Sequence, residues 1–137
     1  MEKEQIKDLM LSHLRESFSL FRDDNKVHVH LSDYNHFCIG YRTNGERLSE
    51  LKGTTHFDIE LIDDICYILY IELVEEERGM GIGWSLYETI HKFAKDYGAK
   101  KVRQTPSGWT PQGKTRRDYL LSRKYAPMGE NELELIL

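Results

Sequence analysis

The sequence predicts an α+β fold, an α/β sandwich with a mixed, mostly antiparallel sheet of about six strands and helices on both faces. Three observations predict it. Apolar residues near the start of the chain have helical spacing, residues 27 to 61 alternate with period two, and residues 65 to 74 form a nearly continuous apolar run. Such a run is typical of a central strand that is covered on both faces. Helical and strand patterns then alternate, which predicts layers of helices on a sheet.

The length and composition favour one folded domain that covers residues 1–137. No stretch approaches the roughly 18 apolar residues that would span a bilayer. The first ten residues, MEKEQIKDLM, carry charges where a signal peptide needs an apolar run. We therefore expect a cytoplasmic protein without a membrane partner.

The first half of the chain predicts a helix followed by an antiparallel meander. Apolar residues at helical spacing predict an amphipathic helix from Glu2 to about Leu20. Strands are predicted at residues 27–31, 37–42 and 57–61, with an Asn44-Gly45 turn between the second and third and an Asp63-Asp64 turn after the third. The central strand, Ile65 to Val74, follows.

The second half predicts alternating helices and strands. A helix from Ile82 to Tyr97 has one apolar face and ends before Gly98, a residue suited to the position after a helix. A short strand around Val102, a Pro/Gly loop, a basic helix at residues 114–124 and a last strand at residues 132–137 follow. The exposed last strand could pair across a homodimer.

Charge is unevenly distributed along the chain. The net charge is −4, yet residues 92–125 contain ten basic and two acidic residues. A basic half on an acidic protein can bind a nucleic acid, and it can equally bind one polyanionic nucleotide cofactor. The acidic first half, which includes Asp58 and Glu60, favours a cationic second substrate.

The two cysteines, Cys38 and Cys66, lie in apolar, strand-like surroundings. They have neither a CxxC spacing nor histidines at a telling distance. The sequence therefore predicts buried free thiols, with no disulfide and no metal site.

The turn between the central strand and the long helix carries the chemistry. Backbone N–H groups at the start of a helix lack partners and lie at the positive end of the helix dipole. Gly81 and Gly83 let an anion approach these amides, and Arg78 can add a charged hydrogen bond. The pattern predicts an anion site.

The spacing of Arg78, Gly81 and Gly83, between a strand and an amphipathic helix and with Leu73 five positions before the arginine, resembles the coenzyme A motif of the GNAT N-acetyltransferase family. The resemblance covers residues 65–125. It implies a GNAT-like fold and acetyl-CoA as co-substrate. It also implies that backbone amides hold the pyrophosphate and that a strand edge pairs with the pantetheine arm. The implied amides are those of Arg78, Gly79, Met80, Gly81, Ile82, Gly83 and Trp84, and the implied edge is Leu73, Val74 and Glu75.

The implied catalytic residues depart from the family pattern. The family has a tyrosine on the following helix that protonates the departing thiolate, and counting back from Tyr125 puts Leu120 in its place, so Tyr119 is one position off. Some relatives carry a base on the central strand. The matching face here offers Tyr67, Leu69 and Ile71, whereas Glu72 falls on the opposite face unless a bulge turns it inward. The candidates are Glu72 or Tyr67 as base and Tyr119 as acid.

The resemblance implies an N-acetyltransferase that moves an acetyl group from acetyl-CoA to a primary amine, on a small molecule or a protein, by direct attack in a ternary complex. Three alternatives remain open: an inactive acyl-CoA-binding module, a nucleic-acid-binding protein that uses residues 92–125, and a Rossmann enzyme. The acidity of the chain disfavours nucleic acid, and Trp84 stands where the third glycine of a GxGxxG fingerprint would be.

Overall fold

The computed structural model describes residues 1–22, 27–33, 35–42, 54–72, 82–108 and 113–137. The elements are, in order, helix α1 (Lys3–Ser17), a 3₁₀ turn (Ser19–Arg22), strands β1 (Val27–Leu31), β2 (His36–Arg42), β3 (Thr54–Ile62) and β4 (Ile65–Glu72), helix α2 (Ile82–Tyr97), strand β5 (Lys101–Gln104), helix α3 (Arg116–Leu121), and strands β6 (Ala126–Met128) and β7 (Glu132–Ile136). The strands form one sheet in the order β1-β2-β3-β4-β5-β7-β6. Among the described strands, β4 and β5 are parallel and the other neighbours are antiparallel.

The predicted α+β class is confirmed, and the differences lie at element ends. The sheet has seven strands because β6 is a strand of three residues, too short to show alternation, and its Pro127 is tolerated on a sheet edge. Helix α1 ends at Ser17 because Phe18 is extended. Helix α3 has six residues, fewer than the predicted basic helix. The Asn44-Gly45 turn lies outside the described residues.

The core lies between one face of the sheet and helices α1 and α2. The alternation in β2 and β3 buries Phe37, Ile39, Phe57 and Ile59 completely. The ring of Phe93 on α2 meets that of Phe37 edge-on, with centroids 5.8 Å apart. The apolar stripe of α1 packs beside α2 and is also buried; its residues are Ile6, Met10 and Leu14.

The opposite face of the sheet is less covered in the described part of the chain. Its described side chains on β3 and β4 keep some exposure: Glu60 and Tyr67 are half-buried, and Tyr70 is 46% exposed. Helices α1 and α2 therefore share one face, and the face that carries Tyr67 stays partly open in the described part of the chain. None of the described helices is long and apolar enough to cross a membrane.

Two predicted turns have the expected backbone. Gly98 ends α2 with φ 109° and donates its N–H to the carbonyl of Ala94 at 3.2 Å. A side chain at this φ would be strained, which explains the glycine. Asp63 has φ 54° in the β3–β4 hairpin, where aspartate is among the residues that tolerate the left-handed region. Lys100 donates its N–H to the carbonyl of Asp64 at 2.7 Å and so ties the two turns together.

Both cysteines are free thiols, as predicted. Cys66 is fully buried, and burial raises the pKa of its thiol to about 12. Cys38 is half-buried, and burial, with a hydrogen bond to Asp58, raises the pKa of its thiol to about 11. Neither thiol is ionised near neutral pH, so neither has the reactivity of an activated nucleophile.

We expect Phe93→Ala to lower the free energy of unfolding by about 3–5 kcal/mol, because the substitution leaves a cavity where α2 meets the sheet. Lys92→Ala on the exposed side of the same helix is the control and should change stability by about 0.5 kcal/mol or less. Denaturant unfolding followed by circular dichroism measures both. Equal stability of the two variants would show that the contact between α2 and the sheet contributes little.

Candidate active site

The parallel strands β4 and β5 pair over only part of their length. Their register runs from Ile65 opposite Lys101 to Ile68 opposite Gln104. In the described part of the chain, strand β4 then continues to Glu72 with pairing to β3 only, because β5 ends at Gln104. We call the space between residues 69–72 and residues 105–108 the wedge, and its closed end at Ile68 and Gln104 the vertex. Backbone groups on this edge of β4 must find partners other than a strand.

A β-bulge in β4 lies at the start of the wedge. Ile68 pairs with Ile59 and Tyr70 pairs with Asp58, so Leu69 has no partner on β3. The buried residues of β4 are accordingly Cys66, Ile68 and Ile71, with a shift of one position across the bulge. Tyr67 and Ile71 therefore lie on opposite faces, contrary to the simple alternation. After the bulge the register resumes, with Tyr70, Ile71 and Glu72 opposite Asp58, Phe57 and His56.

Arg116, the first residue of α3, joins the two sides of the wedge. Its backbone N–H donates to the carbonyl of Gly108 at 3.0 Å, and its Nη1 donates to the carbonyl of Ile71 at 3.1 Å. The helix begins here because the Thr115 hydroxyl accepts the N–H of Asp118 at 3.1 Å. One side chain thus occupies an acceptor on the open edge of β4.

An aromatic cluster holds α3 against the N-terminal half of α2. Helix α2 presents Trp84, Tyr87 and His91, whose spacing puts them on one face. The ring of Tyr119 on α3 is 6.2 Å from that of Trp84 and nearly perpendicular to it. The guanidinium of Arg123 lies 4.9 Å from the Trp84 ring and 5.0 Å from the Tyr119 ring, within the range of cation–π attraction.

The deep end of this cluster is polar and lies near the vertex. The Nε2 of His91 is 2.5 Å from the hydroxyl of Tyr125, and both residues are buried. Burial lowers the pKa of His91 to about 4, so its ring is neutral at pH 7. Burial raises the pKa of Tyr125, and a hydrogen bond with Gln104 partly opposes this shift. The contacts therefore connect α2, the end of β5 and the segment after α3.

The three predicted catalytic residues occupy different places. Glu72 is the last residue of β4, beside the wedge, and pairs with His56 in the register. Tyr119 is half-buried in the aromatic cluster. Tyr67 lies before the vertex, where its hydroxyl accepts a long hydrogen bond of 3.5 Å from Arg103, and Arg103 also forms an ion pair of 2.7 Å with Glu134.

The predicted pyrophosphate turn lies mostly outside the described residues. The predicted coenzyme A contacts outside the described ranges are Leu73, Val74, Glu75, Arg78, Gly79, Met80 and Gly81. Ile82, Gly83 and Trp84 are the first three residues of α2, so the predicted helix start is confirmed. The structure therefore fixes the two ends of the turn, Glu72 and Ile82. Within the described ranges, no group of three His, Cys, Asp or Glu side chains is placed to hold a metal ion.

Sequence reasoning missed Arg116 and the pair His91 and Tyr125. The spacing of Trp84, Tyr87 and His91 could have shown an aromatic stripe on α2. The contact with Tyr125 spans 34 positions and has no local signal. The same holds for the bond between Arg116 and Ile71, which spans 45 positions.

Comparisons with known proteins agree with this geometry. The model of the acetyltransferase (GNAT) family matches residues 2–107. No curated protein matches the chain. The fold is similar to three solved acetyltransferases. PaiA N-acetyltransferase from Thermoplasma acidophilum, in complex with coenzyme A, has TM-score 0.53 and 12% identity, with 100% of this chain and 80% of that chain covered. A GNAT family acetyltransferase from Elizabethkingia anophelis, with acetyl-CoA bound, has TM-score 0.54 and 16% identity, with 84% and 100% covered. IAA acetyltransferase from Bacillus cereus has TM-score 0.55 and 14% identity, with 96% and 91% covered.

The buried His91 should make stability depend on pH. Its folded pKa of about 4 lies below the ordinary value of 6.5, so the unfolded chain takes up a proton first as the pH falls. The folded state should therefore lose about 2–3 kcal/mol between pH 6.5 and pH 4.5 from this residue alone. At neutral pH this titration contributes nothing.

The measurement compares the free energy of unfolding of the wild type with that of His91→Gln, by denaturant unfolding at pH 7.5 and pH 4.5. Glutamine can still bond to Tyr125 but does not titrate, so the wild type should be more stable at pH 7.5 and the difference in free energy of unfolding should be smaller at pH 4.5. A difference that is the same at both pH values would show that His91 is not buried in its neutral form.

Proposed function

Because the chain belongs to the acetyltransferase (GNAT) family, we propose that it transfers an acetyl group from acetyl-CoA to a primary amine by direct attack in a ternary complex. The wedge between β4 and β5 is the observation that carries this proposal. An extended thioester arm can pair with a strand edge that has no strand beside it, and within the described residues β5 stops pairing with β4 after residue 68. Helix α2 begins ten residues after β4 ends, on the same side of the sheet as the core.

The proposal assigns the two ends of acetyl-CoA to different parts of the chain. Its pyrophosphate would lie on the amides from Arg78 to Trp84, at the positive end of the α2 dipole. Its pantetheine arm would pair with the edge at Leu73, Val74 and Glu75. The phosphates gain further attraction from Arg123, which stacks on Trp84 beside the start of α2.

The chemistry requires two proton transfers. The amine must lose a proton to attack the thioester carbonyl, and the sulfur must gain one to leave as the thiol of coenzyme A. An N–C bond forms as the C–S bond breaks. In the proposal, Glu72, or Tyr67 through a water chain, takes the proton from the amine, and Tyr119 gives one to the sulfur. The position of Glu72 at the end of β4, after the bulge and beside the wedge, supports its role as the base.

A route through an acetylated cysteine has little support. The thiol of Cys66 is fully buried, and burial raises its pKa to about 12. A nucleophilic cysteine needs a lowered pKa and access to the thioester. Direct attack by the amine requires neither, so the proposal omits a covalent enzyme intermediate.

The acceptor in this proposal is a cationic amine. Asp58 on β3 lies opposite Tyr70, immediately after the bulge, and Glu60 lies opposite Tyr67. Both carboxylates are on the partly open face of the sheet. A negatively charged surface attracts amines that are protonated in solution.

The full chain should bind acetyl-CoA and release free thiol when a panel of amines is supplied. Gly81→Val should abolish binding while the far-UV spectrum stays nearly unchanged, because its side chain would occupy the place of a phosphate. Arg78→Ala should be milder, since most donors are backbone amides. Isothermal titration measures affinity and thiol release measures turnover.

Three outcomes of that experiment would contradict the proposal. Unchanged affinity in Gly81→Val would place the ligand elsewhere. Tight binding without turnover on any amine would favour an inactive acyl-CoA-binding module. Binding of nucleic acid in place of acetyl-CoA, weakened by substitutions within residues 92–125, would favour the second alternative.

Tyr119→Phe and Glu72→Gln should each lower kcat by about 10² to 10⁴, with little change in acetyl-CoA affinity, because each removes a proton-transfer group. Tyr97→Phe and Glu88→Gln on α2 are the matched controls and should keep full kcat. Single-turnover and steady-state assays with the best amine check this. Full activity in both site variants would refute the assignments, and loss of activity in a folded Cys66→Ala would refute direct transfer.

A further inference from the structure

Arg116 connects the two sides of the wedge by two hydrogen bonds of ordinary length. Its main chain bonds to Gly108, four residues after β5 ends, and its guanidinium bonds to Ile71 on β4. Gly108 has φ 83°, a conformation that glycine adopts without strain. The glycine at this position therefore favours the backbone conformation whose carbonyl accepts this bond. The distance between the two sides at this level therefore depends on the length of one arginine side chain.

The Arg116 guanidinium reaches β4 through its bond to the Ile71 carbonyl. Arg116 is half-buried, and Tyr87 on α2 is 6% exposed. Burial raises the pKa of Tyr87, and the positive charge of Arg116 partly opposes this shift. Because the Nη1 of Arg116 bonds to the carbonyl of Ile71, this side chain borders the wedge.

The orientation of acetyl-CoA in the proposed function determines which part of it would contact Arg116. If the pyrophosphate lies at residues 78–84 and the pantetheine arm at residues 73–75, the acyl end points toward Ile71 and the vertex. Ile71 precedes position 73 by two residues in the chain. Arg116 is bonded to Ile71, so it stands where the acyl group would end.

We propose that Arg116 is a positioning residue that fixes the width of the wedge and limits the transferred acyl group to a short one. This inference rests on the proposed function, because it takes the direction of the acyl-CoA from it. Its physical basis is the bond to Ile71. A chain longer than acetyl must push the guanidinium aside, which leaves the Ile71 carbonyl without its donor and buries methylene groups against a charge. An acetyl group leaves the bond intact.

The test measures acyl-chain selectivity in the full chain with acetyl-, propionyl-, butyryl- and succinyl-CoA and one good amine acceptor. The wild type should prefer acetyl-CoA to butyryl-CoA by at least about tenfold in kcat/KM, a discrimination that a tightly shaped pocket can provide. Arg116→Ala should reduce this ratio about tenfold or more, mainly through faster use of butyryl-CoA. Arg116→Lys, which keeps a donor and most of the bulk, should retain most of the ratio.

Arg22→Ala is the matched control. Its Nε also donates to a backbone carbonyl, that of Arg15 at 3.2 Å, but the side chain is exposed and far along the chain from the wedge. Its selectivity should equal that of the wild type. If Arg116→Ala folds poorly by circular dichroism, Arg116→Met keeps the length without the donor, and its ratio should also fall.

The ratio of kcat/KM for acetyl-CoA to that for butyryl-CoA distinguishes a role of Arg116 in acyl-chain selectivity from a general effect on structure or activity. An unchanged ratio in folded Arg116 variants, or equal loss of activity with acetyl- and butyryl-CoA, would overturn the inference and leave the proposed function standing. A wild-type preference for succinyl-CoA would overturn it as well, because the guanidinium would then bind the carboxylate of the acyl group. If no acyl-CoA binds in isothermal titration, the proposed function fails and the inference fails with it.

Discussion

The separation of β4 from β5 is the constraint on which the rest of the structure depends. Four residues of β4 pair on both sides, and within the described residues Tyr70, Ile71 and Glu72 then pair with β3 only, after the bulged Leu69. Two local causes produce the change. The bulge at Leu69 bends β4 and increases its twist, and Pro106, which has no N–H to donate, follows closely on the end of β5 at Gln104. An open strand edge inside a protein leaves polar backbone groups that need partners, so its surroundings must supply them. Arg116 supplies one of these partners at Ile71.

The surroundings keep the two strands apart by fixing each side separately. The core face of β4 is held by apolar packing under α2, where Ile68 and Ile71 are buried. The end of β5 is held by polar contacts instead, because Gln104 and Tyr125 bond within the same buried network as His91. Buried polar groups cost free energy unless they are paired, and a paired network allows few alternative arrangements. The vertex is therefore placed by directional bonds, and the width of the wedge further out is placed by Arg116.

The sequence could predict the parts of this arrangement that depend on local patterns. Alternation identified β1 to β3, the apolar run identified β4, and the stripe on α2 identified its buried face. The sequence alone could not decide the face of position 72. It could state that a bulge would change this face, but it could not locate the bulge at Leu69, because the pairing of β4 with β3 decides the register. The short strand β6 carries no periodic signal, and the bonds of Arg116 and His91 join distant positions. Long-range contacts of single polar side chains depend on how the elements are packed, so local sequence does not specify them.

Basic and acidic side chains of this unevenly charged chain lie on different sides of β4. Helix α3 begins with Arg116 and Arg117 and is followed by Arg123. Arg116 bonds to Ile71 on β4, and Arg123 stacks on the ring of Trp84. Arg123 therefore lies beside the start of α2, where a helix dipole also attracts anions. The acidic residues Asp58 and Glu60 occur on the other face of the sheet, across β4. In the proposed reaction, a polyanionic donor and a cationic acceptor would be drawn to opposite sides of one strand and would meet at β4. This separation would keep the acceptor amine from pairing with the phosphates of the donor, a contact that would hold the amine away from the thioester.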